Sequence, residues 1–417
     1  MNTPLDDDGL IALALGRHEE IIATTCDLVQ LDSQTPPSDT HAVAKVAASA
    51  LADLPGVTVE LYESEAPVMN LVARLDGGLP GRRLVLNGHL DTYPIGDPAG
   101  WKHGPLSAKI VDGRLYGRGS ADMKGGIAAL IETVRIYATH LRPFPGEIIL
   151  TLAGDEERMG ELGTQWLIDN VPAVKGDGVI VADVGSPSSV RLGEKGMIWL
   201  NLVATGRQAH GAHVYAGANA IDRLTDALTE LRKLENISII TPPDAATVID
   251  AASRIAGADA PSARDVMTRV TVNTGTISGG VSSNLVPDEA RAGLDIRIPL
   301  GMSTTDLNAR IADCLDGHPD VRWTAVRRYE PTWTSADADI SKACLSAASR
   351  VLSGQVWSDM RIGGSDARLW RRAGFDTVVL GLTPYGLGGP DENLMIDELA
   401  PLTAIYCIAA RRFLDAE

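Results

Sequence analysis

Residues 147–157 read EIILTLAGDEE, an apolar run that ends on three consecutive acids, Asp155, Glu156 and Glu157. The run has the length and composition of a buried β-strand. Adjacent carboxylates at the end of such a strand repel one another and resist removal from water. The stretch therefore predicts a strand with a cation bound at its end, unless the acids lie on a solvated loop.

Segments around this stretch alternate between strand and helix patterns. Short β-type runs occur at VTVELYE, NLVARLD and RRLVLNGH, and helical spacing occurs at GGIAALIETVRIYATHL. Two helices are predicted before them, one from about Asp8 to Leu31 and one over SDTHAVAKVAASALADL, which a Ser/Asp cap would start. The alternation predicts an open α/β sheet with functional residues at the strand ends.

The pattern changes in the middle of the chain. MIWLNLVATG, NAIDRLTDALTELRKLEN, TRVTVNTGTISGG and ARAGLDIRIPL give a strand, helix, strand, strand order, which predicts an inserted α+β domain. DISKACLSAASRVL and TVVLGL then return to the first pattern. We expect a first domain built from residues 1–194 and 303–417, interrupted by an insertion at 195–302.

Composition excludes several classes of protein. A chain of 417 residues favours two domains, and its net charge of -17 argues against partners such as nucleic acid or anionic membrane. No apolar run is long enough to span a bilayer, and MNTPLDDDGL lacks the features of a signal peptide, so a cytoplasmic location is expected. The four scattered cysteines are expected to be buried free thiols rather than disulfides or zinc ligands.

Three further strand ends or helix starts carry residues of the types that bind metals. They are His89 and Asp91 in LVLNGHLDTY, Asp122 in GRGSADMKGG and Asp183 in VIVADVGSP. Taken singly, they are also explained as a hydrogen-bonded loop pair, a helix N-cap and a solvated turn acid. Because such ends converge on one rim of an α/β sheet, together they favour a metal site in which Asp91 orients the His89 ring.

These motifs resemble those of the M20 family of metal-dependent aminoacylases and exopeptidases. The later stretches RQAHGAH, GGVSSNLVPDEA, LDIRIPLG and GGSDARLW extend the resemblance over nearly the whole chain. It implies an open α/β-sheet catalytic domain with an inserted α+β dimerisation domain, and hence a homodimer. It also implies these roles: metal ligation by His89, Asp183 and Glu157, bridging of two metals by Asp122, orientation of His89 by Asp91, and general-base catalysis by Glu156.

The inserted segment contributes three further residues through the same resemblance. His210 matches a histidine that reaches across the dimer interface to polarise the group under attack, although a surface-turn histidine is the alternative. Asn284 and Arg297 match positions that hold the substrate. A guanidinium suits a bidentate clamp on a substrate carboxylate, but a structural ion pair would also explain Arg297.

The chain departs from the family near its C-terminus. Family members carry a metal-binding histidine in a loop of the form AHxPDE, whereas here the loop reads PYGLGGPDENL, with Gly388 in the place of the histidine, and the last histidine is His318. We therefore expect one metal ion per chain. A site with one nitrogen and several oxygen ligands favours manganese, with zinc as the alternative. Tyr385 in the altered loop would contact the substrate or pack within the loop.

The expected function is hydrolysis of a C–N bond in a small carboxylate-bearing substrate. Within the family, the chain is similar to aminohydrolases that replace an aromatic amine with water, so release of ammonia from 5-nitroanthranilate to give 5-nitrosalicylate is the favoured reaction. An N-acyl amino acid deacylase or a dipeptidase is the alternative. A non-catalytic scaffold is disfavoured because folding stability does not call for a buried base such as Glu156.

Overall fold

The computed structural model describes residues 5–255 and 261–416. They divide into two compact units. The first contains the residues up to Leu192, Thr334–Asp359 and the residues from Ser365 onward, and the second contains Gly193–Trp333 and Met360–Gly364. The second unit begins close to the predicted start of the insertion and also takes in residues 303–333, which the sequence pattern placed in the first domain.

The regular elements follow in chain order. The α-helices are α1 (Asp7–Leu15), α2 (His18–Val29), α3 (His41–Leu51), α4 (Gly125–Ile136), α5 (Thr164–Asn170), α6 (Ala220–Arg232), α7 (Pro243–Ile255), α8 (Pro261–Thr268), α9 (Thr304–Leu315), α10 (Asp339–Val351), α11 (Ala367–Arg372) and α12 (Leu399–Leu414). The strands are β1 (Val57–Glu65), β2 (Val68–Asp76), β3 (Gly78–His89), β4 (Lys109–Val111), β5 (Arg114–Tyr116), β6 (Phe144–Ala153), β7 (Gly178–Val181), β8 (Ser189–Glu194), β9 (Gly196–Thr205), β10 (Ala209–His210), β11 (Thr271–Gly279), β12 (Leu285–Val286), β13 (Glu289–Ile298), β14 (Val321–Tyr329), β15 (Thr332–Trp333), β16 (Trp357–Arg361), β17 (Thr377–Val379) and β18 (Asn393–Met395).

A mixed sheet forms the centre of the first unit, with the strand order β1-β2-β6-β3-β7-β17-β8. Strands β6, β3, β7 and β17 run parallel, while β1, β2 and β8 pair antiparallel with their neighbours. Gly178 faces Phe413 of α12, whereas the next residue, Val179, packs in a cluster with Trp370 of α11. Because successive strand residues point to opposite faces, helices cover both sides of this sheet.

The sequence pattern located most strands of this sheet but named none at β8. All of the EIILTLAG run except its last residue lies within β6, and the three preceding β-type runs lie within β1, β2 and β3. The single helix predicted from Asp8 to Leu31 was wrong, since Gly16 and Arg17 separate α1 from α2. The predicted Ser/Asp cap of α3 is confirmed in part: the N-cap position is Thr40, which makes no side-chain cap hydrogen bond, but Oδ1 of Asp39 accepts a hydrogen bond from the N–H of His41 at 3.2 Å.

The second unit contains a four-stranded antiparallel sheet with the order β11-β13-β9-β14. Helices α6 and α9 contribute Leu224 and Ile311 to a core that also contains Leu200 of β9 and Leu294 of β13. The predicted strand, helix, strand, strand order is thus confirmed, with α9 and β14 completing the layer.

Among residues 5–255 and 261–416, no helix combines the length and the apolar character needed to cross a membrane. All four cysteines are free thiols. Cys344 and Cys407 are buried as predicted, but Cys26 and Cys314 are only partly buried.

Candidate metal centre

The acids and histidine singled out from the sequence meet at one edge of the first unit's sheet. Strand β3 lies between β6 and β7 and runs parallel to both, and His89 at its end is in register with Ala153 at the end of β6. Glu156 and Glu157 follow β6, and Asp183 follows the end of β7 at Val181. The parallel order therefore brings the ends of three neighbouring strands to one place.

The ring of His89 is held at both nitrogens. Nε2 lies 3.0 Å from Oδ1 of Asp122, and Nδ1 lies 2.9 Å from the main-chain oxygen of Asp91. The Asp91 carboxylate is 3.6 Å from Nδ1, so the main-chain oxygen provides the hydrogen bond that was expected from the carboxylate. Burial alone would lower the pKa of His89, but the carboxylates of Asp122 and Asp91 outweigh it and hold the pKa well above its usual value.

The fully buried carboxylate of Asp91 binds the turn that carries the acids. Its Oδ1 accepts a hydrogen bond from the N–H of Glu156 and its Oδ2 accepts one from the N–H of Glu157, each at 3.0 Å. Oδ2 also accepts a hydrogen bond from the hydroxyl of Thr35 at 3.0 Å. Asp91 therefore fixes the backbone of Glu156 and Glu157 relative to His89.

Asp122 lies in an irregular turn, Ser120–Lys124, directly before α4. Its backbone angles, φ -117° and ψ 87°, are not helical, and the N-cap of α4 is Lys124, so the N-cap explanation of Asp122 was wrong. The N–H groups of Ala121 and Asp122 donate to Oε1 of Glu392. Glu392 is itself paired with the buried Arg118. This network leaves the Asp122 carboxylate directed at His89.

Two overlapping groups of side chains have the spacing of metal ligands. One ligand atom from each of His89, Asp122 and Asp183 lies within 4.8 Å of the others, and the same holds for His89, Glu156 and Glu157. Oε1 of Glu157 is buried without a hydrogen-bond partner. Crowded buried carboxylates fit a divalent cation, because the cation offsets their mutual repulsion.

The three consecutive acids have different environments. Asp155 turns away and accepts a hydrogen bond from the N–H of Leu162, and burial raises its pKa to about 7. Burial raises the pKa of Glu156 to about 8, although His89 and Arg368 oppose the shift, and burial also raises the pKa of Glu157 well above its usual value. Only the second and third acids of the triplet therefore belong to the candidate centre.

Sequence reasoning assigned no role to Arg368, which lies in the quoted motif GGSDARLW. Its side chain is only 5% exposed, and its Nη1 lies 3.4 Å from Oε1 of Glu156. The available signal was the apolar pair Leu369 and Trp370 directly after Arg368 in a short helix, which indicates that the arginine is buried too. A buried guanidinium needs an anionic partner, and Glu156 is that partner here.

The loop that lacks the family's histidine is fixed by hydrogen bonds from Arg118 to its main-chain carbonyl groups. The carbonyls of Gly388 and Gly389 accept hydrogen bonds from Nη2 of Arg118, and Gly388 has a φ of 71°. The ring of Tyr385 packs 4.2 Å from the guanidinium of Arg114. This contact matches the packed-loop alternative for Tyr385.

In the second unit, His210 and Asn284 are neighbours. Both are exposed, and the N–H of Gly211 donates to the carbonyl of Asn284. Arg297 forms an ion pair with Asp295 through two nitrogens, at 2.8 and 3.1 Å from Oδ2. The structural ion pair considered for Arg297 is therefore present.

Comparisons with known proteins agree on one family. The model of "Peptidase family M20/M25/M40" matches residues 85–412. A succinyl-diaminopimelate desuccinylase of Rhodospirillum centenum is 30% identical over 408 residues, which cover 95% of this chain and 98% of the relative.

Two solved structures show the same fold at low sequence identity. An M20 family metallo-carboxypeptidase from Sulfolobus solfataricus has a TM-score of 0.80 at 19% identity, covering 94% of this chain and 99% of that one. Human carnosine dipeptidase 1 has a TM-score of 0.76 at 16% identity and covers 99% of each chain. The fold of a catalytic and a dimerisation domain is thus common to this chain and these enzymes.

Proposed function

Because this chain belongs to peptidase family M20/M25/M40 and is a metal-dependent hydrolase acting on C–N bonds, we propose that its reaction centre is the cluster around His89. The observation that carries the proposal is the approach of ligand atoms from His89, Asp122 and Asp183 to within 4.8 Å of one another. His89 and Asp183 lie at the ends of two different strands, Asp122 lies in the turn before α4, and the three residues are distant in sequence. Folding stability alone gives no reason to gather them, since burying charged groups without a counterion is costly.

His89, Asp122 and Asp183 would hold one divalent metal ion. When bound, such an ion would lower the pKa of water and, in an amide substrate, polarise the carbonyl group under attack. The main-chain oxygen of Asp91 would accept a hydrogen bond from Nδ1 of His89 and so leave Nε2 to face the ion.

Glu156 would act as the general base. Its backbone is fixed by Asp91, its carboxylate faces the His89 cluster, and its side chain is 13% exposed. A carboxylate in this position accepts the proton of the attacking water and returns it to the leaving nitrogen. The carbon–oxygen bond forms first, and the carbon–nitrogen bond then breaks as the nitrogen takes the proton and leaves as the amine or as ammonia.

We propose one metal ion per chain, with manganese preferred over zinc. Gly388 supplies no side-chain ligand where the family carries a histidine, so Glu157 is left as a carboxylate with an unpartnered oxygen. The remaining set of one nitrogen and several oxygens suits manganese, which accepts oxygen-rich coordination, better than it suits zinc.

The second unit would provide the dimer contacts and part of the substrate site. His210 and Asn284 are exposed neighbours, as residues that reach another subunit must be. Arg297 would hold a substrate carboxylate only by exchanging its ion pair with Asp295. Light scattering should give twice the chain mass of 44.1 kDa, and a monomer under assay conditions would contradict this part of the proposal.

The first candidate substrate is an N-acyl amino acid, because the relative of 30% identity is named a succinyl-diaminopimelate desuccinylase. The second is 5-nitroanthranilate, which we propose because Gly388 removes a histidine ligand of the family's metal centre and so allows a reaction other than amide cleavage. In both substrates a carboxylate lies near the C–N bond to be cleaved, and a dipeptide shares this feature.

A substrate panel separates the candidates. The manganese-loaded enzyme would be incubated with N-succinyl-diaminopimelate, N-acetyl amino acids, dipeptides and 5-nitroanthranilate, and both released amines and ammonia would be quantified. Release of a free amino acid supports the first candidate, and release of ammonia with formation of 5-nitrosalicylate supports the second. No hydrolysis of any C–N bond in the panel would contradict the proposal.

A further inference from the structure

The buried guanidinium of Arg368 contacts both the proposed base and the turn that carries it. We propose that Arg368 is a positioning residue that orients the Glu156 carboxylate for proton transfer, an inference that rests on the proposed function. It adds a residue of α11 to a centre otherwise built from the ends of β3, β6 and β7 and the turn before α4.

Each end of the guanidinium has a defined contact. Nη1 donates to the carbonyl of Ser365 at 2.5 Å and lies 3.4 Å from Oε1 of Glu156. Nη2 donates to the carbonyl of Met159 at 2.8 Å. With 5% of its side chain exposed, Arg368 has little freedom to adopt another rotamer.

The turn between Glu156 and Met159 explains why two contacts are needed. Glu156–Arg158 form one short 3₁₀ turn, closed by the N–H of Met159 donating to the carbonyl of Glu156. Met159 has a φ of 85°, a left-handed conformation that a methionine rarely adopts. By binding the Met159 carbonyl and the Glu156 carboxylate together, Arg368 stabilises this turn with the carboxylate facing the cluster.

The base is thereby held from two sides. Asp91 binds its N–H, which fixes the backbone, and Arg368 contacts its carboxylate, which fixes the side chain. A displacement of the order of 1 Å in a catalytic group can lower a rate roughly 100-fold. A lysine would not replace Arg368, because a single ammonium group lacks the planar fork that reaches both the Met159 carbonyl oxygen and Oε1 of Glu156.

Direct binding of a substrate carboxylate is the competing role for a buried arginine. The two roles predict different kinetics. A residue that orients the base lowers kcat with little change in KM, whereas a residue that binds the substrate raises KM. The two roles also differ in chemical rescue. If Arg368 orients the base, guanidinium ion added to a variant with a truncated side chain can restore the contact to Glu156 and part of the activity.

The test compares R368A and R368K with R372A and R372K, which alter an exposed arginine on the same helix. The assay uses whichever substrate of the panel the wild type hydrolyses. We expect kcat to fall about 10- to 100-fold in R368A and R368K with KM changed less than about threefold, and no comparable loss in the Arg372 variants. Guanidinium chloride at millimolar concentration should partly restore R368A and leave E156Q unchanged. A rise in KM at constant kcat would overturn the inference.

A structural readout keeps the test independent of activity. Crystal structures of the wild type and R368A should show the Glu156 carboxylate in one orientation in the wild type and rotated or in several orientations in the variant. An unchanged carboxylate in R368A would overturn the inference. If the carboxylate moves but E156Q retains full activity, the positioning contact stands and the proposed base is wrong.

Discussion

The environment of Glu156 shows how single residues set the chemistry. Burial raises its pKa to about 8, while the neighbouring His89 and Arg368 act in the opposite direction. A base must be able both to hold a proton and to release it near the working pH, and a carboxylate in water holds none at pH 7. A metal ion nearby would act in the same direction as His89 and Arg368: it would lower the pKa of Glu156 and favour the unprotonated carboxylate.

Replacing Glu156 with glutamine removes the base and keeps the shape of the side chain. We expect E156Q to lower kcat by roughly 10²- to 10⁴-fold while the metal content, measured by elemental analysis, stays at the wild-type value. E161Q, which alters an exposed acid of the same segment, is the matched control. Full activity in E156Q would remove the assignment of the base.

The residues of the centre differ in how visible they are in the sequence. His89, Asp122 and Asp183 stand at strand ends or before a helix, so their convergence could be predicted from the order of elements. The sequence could not show that Nδ1 of His89 contacts the main-chain oxygen of Asp91 rather than its carboxylate, because this contact depends on the backbone path after β3. The contact between Arg368 and Glu156 joins residues far apart in sequence, and no periodic pattern reports it.

Among the elements, the turn after β6 has little tolerance for change. Gly160 has a φ of 74°, and a Cβ there would lie 2.6 Å from Leu369 and 2.7 Å from Asp366. We expect G160A to lower the free energy of unfolding by about 1–3 kcal/mol and to reduce kcat by displacing the turn. Chemical denaturation would measure the first effect, with G317A as control because its site is open. Equal stability of the two variants would contradict this account of the turn.

The loop at Gly388 offers a direct test of why one metal is expected. A Cβ at this position meets only Tyr93, at 3.9 Å, so a larger side chain has room, although the φ of 71° costs a non-glycine residue about 1–2 kcal/mol. G388H should raise the metal content from about one to about two ions per chain by restoring the family's ligand. G388A carries the same strain without a ligand and should stay at one. Two ions in the wild type would show that the histidine is not needed.

The strands were predicted well and the helices less well, for a physical reason. A strand buried on both faces, such as β7, is almost continuously apolar, and this is visible in sequence. The break between α1 and α2 depends on tertiary packing and local backbone angles, which override weak helix propensities. The assignment of residues 303–333 to the second unit likewise depends on pairing between β14 and β9.

For the whole molecule, buried acids make stability depend on pH when metal is removed. Burial raises the pKa of Asp155 and of Glu392 to about 7, far above their values in an unfolded chain. The folded state therefore binds more protons than the unfolded state between about pH 4.5 and 7, so the free energy of unfolding falls as the pH rises through this range. The buried Lys195, with a pKa lowered to about 7, acts in the opposite direction only above that range.

Thermal denaturation of the metal-free protein checks this sign. We expect a lower Tm at pH 7 than at pH 5, because the buried acids lose protons as the pH rises. Adding Mn²⁺ should raise the Tm more at pH 7 than at pH 5, because protons compete with the metal for its ligands. D155N should show a weaker dependence on pH than E161Q, whose substituted side chain is exposed. A Tm that rises from pH 5 to pH 7 in the metal-free protein would contradict the burial argument.

The central claim is that three residues distant in sequence bind one divalent ion at the edge of the first unit's sheet. Anomalous diffraction at the manganese edge, from crystals of the full chain grown with Mn²⁺, tests it most directly. We predict one strong peak within bonding distance of His89, Asp122 and Asp183. No peak there, or the only peak at a site away from these side chains, would contradict the account.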